Sequence, residues 1–324
     1  MYLSTIARAG LLCLLLWQLS GCSLKYQPVD LGGSDYPDLE ATPFFPQEKY
    51  QCGPASLAMV LAASGVNIRP EQLTPLLYVP ERQGSFQLEL VAASRSFGRI
   101  PYVIDPNLDA LAAELVVGRP VLVLQNYGLD FLPFYHYAVA IGLQPDEKII
   151  LRSGTTKRLI MALPSFLVSW QRPGSWALVI LRPGELPAKV DRDRYLQALA
   201  AFEKTASAVE ALPAYRAALH RWPDDGMLLF ASGNNALMRN SQAEAEDYFR
   251  QALERDGQHL GAMNNLADTL ARRGCLREAK EIIERAATLA EKKDSVFSEL
   301  IALTQKEIRH LAETPENSAA PVCR

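Results

Sequence analysis

Gln47-Glu48-Lys49-Tyr50-Gln51-Cys52-Gly53-Pro54-Ala55-Ser56-Leu57-Ala58-Met59-Val60-Leu61 is the stretch on which the reading of this chain turns. Cys-Gly-Pro opens an apolar, alanine-rich run, and a proline at the first helical position is pre-set for a helix start. The spacing therefore puts Cys52 at a helix N-terminus, where the helix dipole favours a thiolate. A thiolate is the form of cysteine that attacks carbonyl carbon. Gln47 lies close enough in sequence to offer an amide N–H to an oxygen that becomes negative during attack. A cysteine without such company is more often an inert buried side chain.

The chain has four histidines, His136, His220, His259 and His310. The last three lie among charged residues in a helical C-terminal region. Only His136, in Pro133-Phe134-Tyr135-His136-Tyr137-Ala138-Val139-Ala140-Ile141-Gly142, begins an apolar run that reads as a buried strand. A rigid strand can hold such a ring in a cleft, where it takes a proton from Cys52 and returns it to a leaving group. Leu129, Phe131, Phe134 and Tyr135, just before it, either line a substrate cleft or cover the sheet edge.

Together the segment 43–64 and the His136 strand resemble the bacteriocin-processing peptidase family and its papain-like cysteine peptidase relatives. That pattern runs Gln, a short spacer, Cys-Gly-Pro and a helix, then His-Tyr or His-Phe before a Val/Ile-rich strand and a Gly. The resemblance covers roughly residues 43–182. It implies an α+β papain-like domain in which Gln47, Cys52 and His136 serve as oxyanion donor, nucleophile and base. It also implies peptide substrates, cut at small residues such as Gly-Gly. One member departs from the pattern. The family places an Asp on the strand after the histidine strand, and here that strand is Lys148-Ile149-Ile150-Leu151-Arg152-Ser153-Gly154. Ser153 can accept a hydrogen bond from the imidazole but cannot balance its charge. Asn126 and Asp130 are the other candidates, and the sequence leaves the three open. A weak third group implies a slow enzyme, a substrate-assisted one, or a binding domain that kept the fold.

The elements around these residues read as mixed α/β: a helix over 85–97, a strand over 100–105, a helix over 107–117, and strands over 121–126, 135–143, 148–152 and 176–181. Upstream, Gly10-Leu11-Leu12-Cys13-Leu14-Leu15-Leu16-Trp17-Gln18-Leu19 is too short for a comfortable membrane span. It ends in Leu19-Ser20-Gly21-Cys22, which resembles a bacterial lipoprotein signal. The expectation is a signal peptide over 1–21, lipidation of Cys22, and a tether over 22–42. Ser23 after the cysteine points to the outer membrane, facing the periplasm. An exported setting permits disulfides. Of five cysteines, Cys275 with Cys323 is the expected pair, and Cys52 stays free.

Arg182-Pro183-Gly184-Glu185-Leu186-Pro187 breaks the pattern and opens a linker over 183–191. Beyond it the chain is helical and repeats every 34 residues: Ala211, Ala245 and Ala279 align, as do Ala218, Ala252 and Ala286, and Tyr215, Phe249 and Ile283. Gly233 aligns with Ala267. This resembles tetratricopeptide repeats, with units at 192–225, 226–259 and 260–293, a capping helix over 295–311 within a repeat domain of 192–311, and a tail over 312–324. Such stacks bind peptides or proteins on a concave face. Asn234, Asn235, Asn264 and Asn265 are candidates for that face, or else solvated surface. A net charge of −3 and the lack of a basic stripe argue against a nucleic-acid partner, and no motif calls for a metal or cofactor. The whole reads as a lipid-anchored periplasmic cysteine peptidase whose repeats recruit a substrate or partner protein. A peptidase-like binding scaffold and a thiol acyltransferase are the alternatives.

Overall fold

The computed structural model describes residues 36–48, 50–292 and 295–313, apart from the side chain of Arg82. The expected signal peptide, Cys22, most of the tether, Cys323 and the tail from 314 lie outside the described residues. Among the described residues no helix is long and apolar enough to cross a membrane.

Helix α1 (Cys52–Ala63) starts on Cys52 itself, two residues before the expected proline start. Every residue from Gly53 to Leu61 is buried, as a helix without a polar face requires. Helices α2 (Pro70–Leu77) and α3 (Gln87–Ser96) pack beside it on one face of a six-stranded sheet. The strands are β1 (Ile100–Val103), β2 (Val121–Asn126), β3 (Tyr135–Gln144), β4 (Lys148–Ser153), β5 (Thr156–Ala162) and β6 (Ala177–Leu181). Their order is β1-β6-β2-β3-β4-β5, antiparallel throughout. Helix α4 (Leu108–Val116) is capped by the Asn107 side chain, which accepts from the Ala110 N–H at 2.9 Å. With α5 (Leu163–Gln171) it covers the opposite face.

Side chains sort by the period of two. Leu122, Leu124, Tyr137 and Val139 face α1, while Val121, Val123, Ala138 and Ala140 face α4 and α5. Helix α2, strand β5 and helix α5 are additional to the elements expected from the sequence. Strand β5 is an edge: Thr156, Lys157 and Arg158 are exposed, and its apolar residues are only partly covered. Its alternation is therefore too weak to read.

The repeat region forms three helix pairs and a cap: α6 (Arg192–Glu203) with α7 (Ala208–Arg221), α8 (Gly226–Met238) with α9 (Gln242–Arg255), α10 (Leu260–Arg272) with α11 (Leu276–Lys292), and α12 (Ser298–Glu313). The second and third pairs pack far more closely than the first. The sequence explains this, because Gly233 and Ala267 occupy the contact where the first pair carries Leu199. The segment read as a linker is itself packed. The Ala188 N–H donates to Glu114 Oε1 at 2.8 Å, and the Asp191 N–H donates to the Tyr102 hydroxyl at 3.0 Å. Tyr195, Leu199 and Phe202 of α6 enter the same buried cluster as Ile100, Tyr102 and Leu111 of the sheet domain.

Gly233 gives a direct test of this packing. A Cβ there would lie 2.4 Å from a ring carbon of Phe249, which is fully buried. Helix propensity alone favours Gly→Ala by about 1 kcal/mol, but overpacking a rigid ring costs about 1–3 kcal/mol. Gly233→Ala is therefore expected to lower stability by roughly 1–2 kcal/mol, read from the urea midpoint. An unchanged or higher midpoint would show slack between the two helices.

Candidate active site

Cys52 is free and half-buried at the first position of α1. Two residues earlier Tyr50 sits in the left-handed region, at φ 66°, a conformation that costs a residue with a Cβ about 1–2 kcal/mol. Gly53 is required by close approach, since a Cβ there would lie 2.6 Å from Ser85 Oγ. The backbone N–H of Tyr137 lies close enough to the Cys52 sulfur to favour its charged form. The nucleophile candidate thus lies against the peptide unit that joins His136 to Tyr137.

His136 stands at the open end of β3. Its Nε2 lies 2.9 Å from Ser153 Oγ at the end of β4, and its Nδ1 has no hydrogen-bond partner among the described residues. The two other candidates for the third position are engaged elsewhere. Asn126 Oδ1 accepts from the N–H groups of Gly128 and Phe134, at 2.9 and 2.8 Å, and so shapes the β2–β3 loop. Asp130 is exposed at the tip of that loop. Arg152, beside Ser153, is 1% exposed. Its guanidinium donates to the carbonyls of Glu40, Thr42 and Lys157. It fastens the entering chain across the sheet and takes no part in the site.

Gln47 is placed beside the site but is fully engaged. Its amide nitrogen donates to Ser56 Oγ and to the Tyr137 carbonyl, each at 3.0 Å. Its Oε1 accepts from the Gly154 N–H at 2.8 Å. An oxyanion could be bound by Gln47 only by exchanging one of those two donations.

The electrostatics correct one expectation. Burial pushes the Cys52 thiol up from its ordinary value, and the backbone N–H groups of Tyr137, Gly53 and Cys52 offset this only in part. Burial also pushes His136 down to about 4. Both shifts disfavour charge, so at neutral pH the resting pair is a thiol and a neutral imidazole. A helix N-terminus favours the thiolate, but desolvation of a buried charge is the larger effect here.

Behind the pair lies a set of polar residues that the motifs did not indicate. The Tyr127 ring stacks on His136, with centroids 5.6 Å apart. Its hydroxyl donates to Gln125 Oε1 at 2.9 Å, with Ser153 beside it. Gln125, directly opposite His136 in the β2–β3 register, donates to Ser169 Oγ at 2.7 Å. In front lies an apolar wall: Leu129, Phe131, Leu132, Phe134 and Tyr135 are each more than half exposed. Arg172 braces it by donating to the Gly128 carbonyl at 2.6 Å.

In the repeats, Asn235 is removed from the candidate binding face. It is buried, donating to Glu203 Oε1 at 2.8 Å and to the Ala208 carbonyl at 3.0 Å. Asn234 and Asn265 are partly exposed and joined across adjacent repeats at 2.7 Å. Cys275 is disulfide-bonded, and its expected partner Cys323 lies outside the described residues. Among the described residues no group of His, Cys, Asp and Glu is arranged to hold a metal ion.

Residues 39–172 match the model of the Peptidase_C39 like family. Among solved structures, the peptidase domain of Streptococcus ComA, a bi-functional ABC transporter involved in a quorum-sensing pathway, is similar at 23% identity. The match covers 43% of this chain and 98% of that one, with a TM-score of 0.37. The TPR2B domain of yeast Sti1, solved as a pHsp70 complex, is similar at 18% identity over 37% of this chain and 96% of that one, with a TM-score of 0.35. The Sgt2 TPR domain of Aspergillus fumigatus is similar at 15% identity over 42% and 88%, with a TM-score of 0.36. No curated protein matches the chain. Residues 39–172 are thus similar to the Peptidase_C39 like family, and a run of helices follows them.

Proposed function

We propose that this chain is a cysteine peptidase of the cell envelope, held by a lipid on Cys22 at the outer membrane and facing the periplasm. The observation that carries the catalytic part is that Cys52, at the start of α1, packs against the cluster containing Tyr137, the residue after His136, whose Nε2 lies 2.9 Å from Ser153 Oγ. The anchor rests on Leu19-Ser20-Gly21-Cys22.

Because the resting pair is neutral, the proton leaves Cys52 for His136 Nδ1 as the sulfur approaches the peptide carbonyl, not beforehand. The Cys52 backbone N–H, joined by Gln47 after it releases Ser56 or Tyr137, stabilises the oxyanion. The imidazolium then protonates the leaving amine, and water hydrolyses the thioester with His136 again as base. The apolar wall at Leu129–Tyr135 receives the hydrophobic side chains of the substrate, and the repeats recruit it or a partner protein. A second reading, a peptidase-like binding scaffold with little or no turnover, is favoured by the engaged Gln47 amide and by the hydroxyl at the third position.

The test is incubation of the chain with a peptide library that includes Gly-Gly sequences, with products read by mass spectrometry. Cleavage is expected in the wild type and absent in Cys52→Ala. Cleavage that survives Cys52→Ala, or none in the wild type, would sink the peptidase reading and leave the scaffold.

A further inference from the structure

A backbone group fixes each end of the Gln47 amide. The Gly154 N–H can only donate, so the side-chain atom 2.8 Å from it is Oε1. The Tyr137 carbonyl can only accept, so the atom 3.0 Å from it is the amide nitrogen. These two contacts complete the sheet. The β3–β4 register ends with Val139 opposite Arg152, and Tyr137 and Gly154 come next in the same register. The Gln47 side chain bridges them, and the Gln47 backbone N–H donates to the Gly154 carbonyl at 3.0 Å. Gln47 thus stands in for one rung of the ladder that holds His136 beside Ser153. Releasing Tyr137 would leave a buried strand carbonyl unpaired, which is the costly kind of loss. The amide nitrogen has one other hydrogen, directed at Ser56 Oγ, 3.0 Å away. Ser56 is fully buried in α1, four residues after Cys52. Residues four apart share a helix face, and helical side chains lean back toward the helix start. That hydrogen is therefore aimed at the turn of α1 that opens on Cys52. Ser56 also loses least by releasing it, since a helical serine hydroxyl can turn to the carbonyl four residues back.

We propose that Ser56 is a positioning residue: in the resting protein it holds the one Gln47 hydrogen that can be spared, and it yields that hydrogen to the oxyanion formed when Cys52 attacks. Gln47 then serves the reaction by exchanging a single acceptor, without leaving Tyr137 or Gly154. The Ser56 oxygen and the oxyanion compete for the same hydrogen, so Ser56 steadies the amide and at the same time slows turnover. The proposal rests on the peptidase reading of Cys52.

The experiment measures kcat and KM for cleavage of Gly-Gly peptides by the full chain as wild type, Ser56→Ala, Gln47→Ala and the double variant. Alanine at position 56 removes the competing acceptor, so kcat is expected to rise by roughly fivefold with KM nearly unchanged. Gln47→Ala is expected to lower kcat by roughly a hundredfold, and Ser56→Ala is expected to change nothing further in that background. Ser56→Thr, which keeps a hydroxyl, is expected to bring kcat back toward the wild type. A merely structural role for Ser56 would lower the rate or leave it unmoved, with or without Gln47. A second measurement is independent of turnover: NMR of the side-chain amides in 15N-glutamine-labelled Cys52→Ala protein, with the Gln47 signals assigned by their loss in Gln47→Ala. In Ser56→Ala one of the two Gln47 amide protons is expected to shift and to exchange faster with water, while the one bound to Tyr137 stays in place. A kcat at or below wild type in a folded Ser56→Ala protein, a gain that survives Gln47→Ala, or two amide protons unmoved by Ser56→Ala overturns the proposal and leaves the peptidase reading intact. Absence of cleavage in every form removes the peptidase reading and the proposal with it.

Discussion

Ser153→Asp is expected to speed alkylation of Cys52 by iodoacetamide at neutral pH by roughly tenfold or more. In the wild type, burial holds the Cys52 thiol above and the His136 imidazole far below their ordinary values. Its alkylation should therefore be slow at neutral pH and rise only on the alkaline side. His136 Nε2 already bonds Ser153 Oγ at 2.9 Å. A carboxylate at that position places a negative charge beside the ring, which raises the imidazole and admits the thiolate–imidazolium pair. Each unit of that shift corresponds to about 1.4 kcal/mol between the two protonation states. The measurement is the rate of Cys52 labelling across pH in the wild type, Ser153→Asp, and Ser153→Asp with His136→Ala. A gain that persists without His136, or no gain in a folded Ser153→Asp protein, would show that the serine is not the imidazole's electrostatic partner.

Arg152→Met is expected to cost about 3–5 kcal/mol of stability. Arg152 is 1% exposed and donates to the carbonyls of Glu40, Thr42 and Lys157. Methionine fills a similar volume but leaves those three acceptors without the donors they now have. Losing a buried partner costs about 1–3 kcal/mol per group. The Tm is expected to fall by roughly 10 °C. Arg152→Lys should recover only part of this, since one ammonium cannot reproduce a fork that reaches both the turn at 40–42 and the start of β5. The loss should reach the active site as well, because the chain fastened at Glu40 and Thr42 continues to Gln47, whose N–H donates to the Gly154 carbonyl at 3.0 Å. A Tm within a degree or two of the wild type would mean that water or a shifted backbone satisfies those carbonyls.

The parts of this site that were legible in the sequence are those specified locally. Cys-Gly-Pro before an apolar run marks a helix with a sulfur at its start, and the 34-residue spacing of small residues marks helix pairs. Ser153 was reachable from its slot one strand after His136, although the choice among Ser153, Asn126 and Asp130 required the β3–β4 pairing. Tyr127, Gln125 and Ser169 were not legible. Their contacts depend on the register that sets Gln125 opposite His136 and on a helix, α5, whose preceding edge strand carries little alternation. The protonation state was misjudged for a related reason. The helix end beside Cys52 is visible in the sequence, whereas the depth at which the sulfur and the ring lie is set by packing from distant segments.

The junction between the sheet domain and the repeats bears on how a substrate would be measured. Tyr195, Leu199 and Phe202 share a core with Ile100 and Tyr102, and the intervening chain is pinned at Ala188 and Asp191. The helical stack is thus a jig bolted to the sheet domain and not a hand on a flexible wrist. On the peptidase reading, a polypeptide gripped by the repeats meets Cys52 at one set offset. Selectivity would then be counted in residues between the gripped segment and the severed bond, and inserting or deleting residues in that interval would matter as much as altering the bond itself.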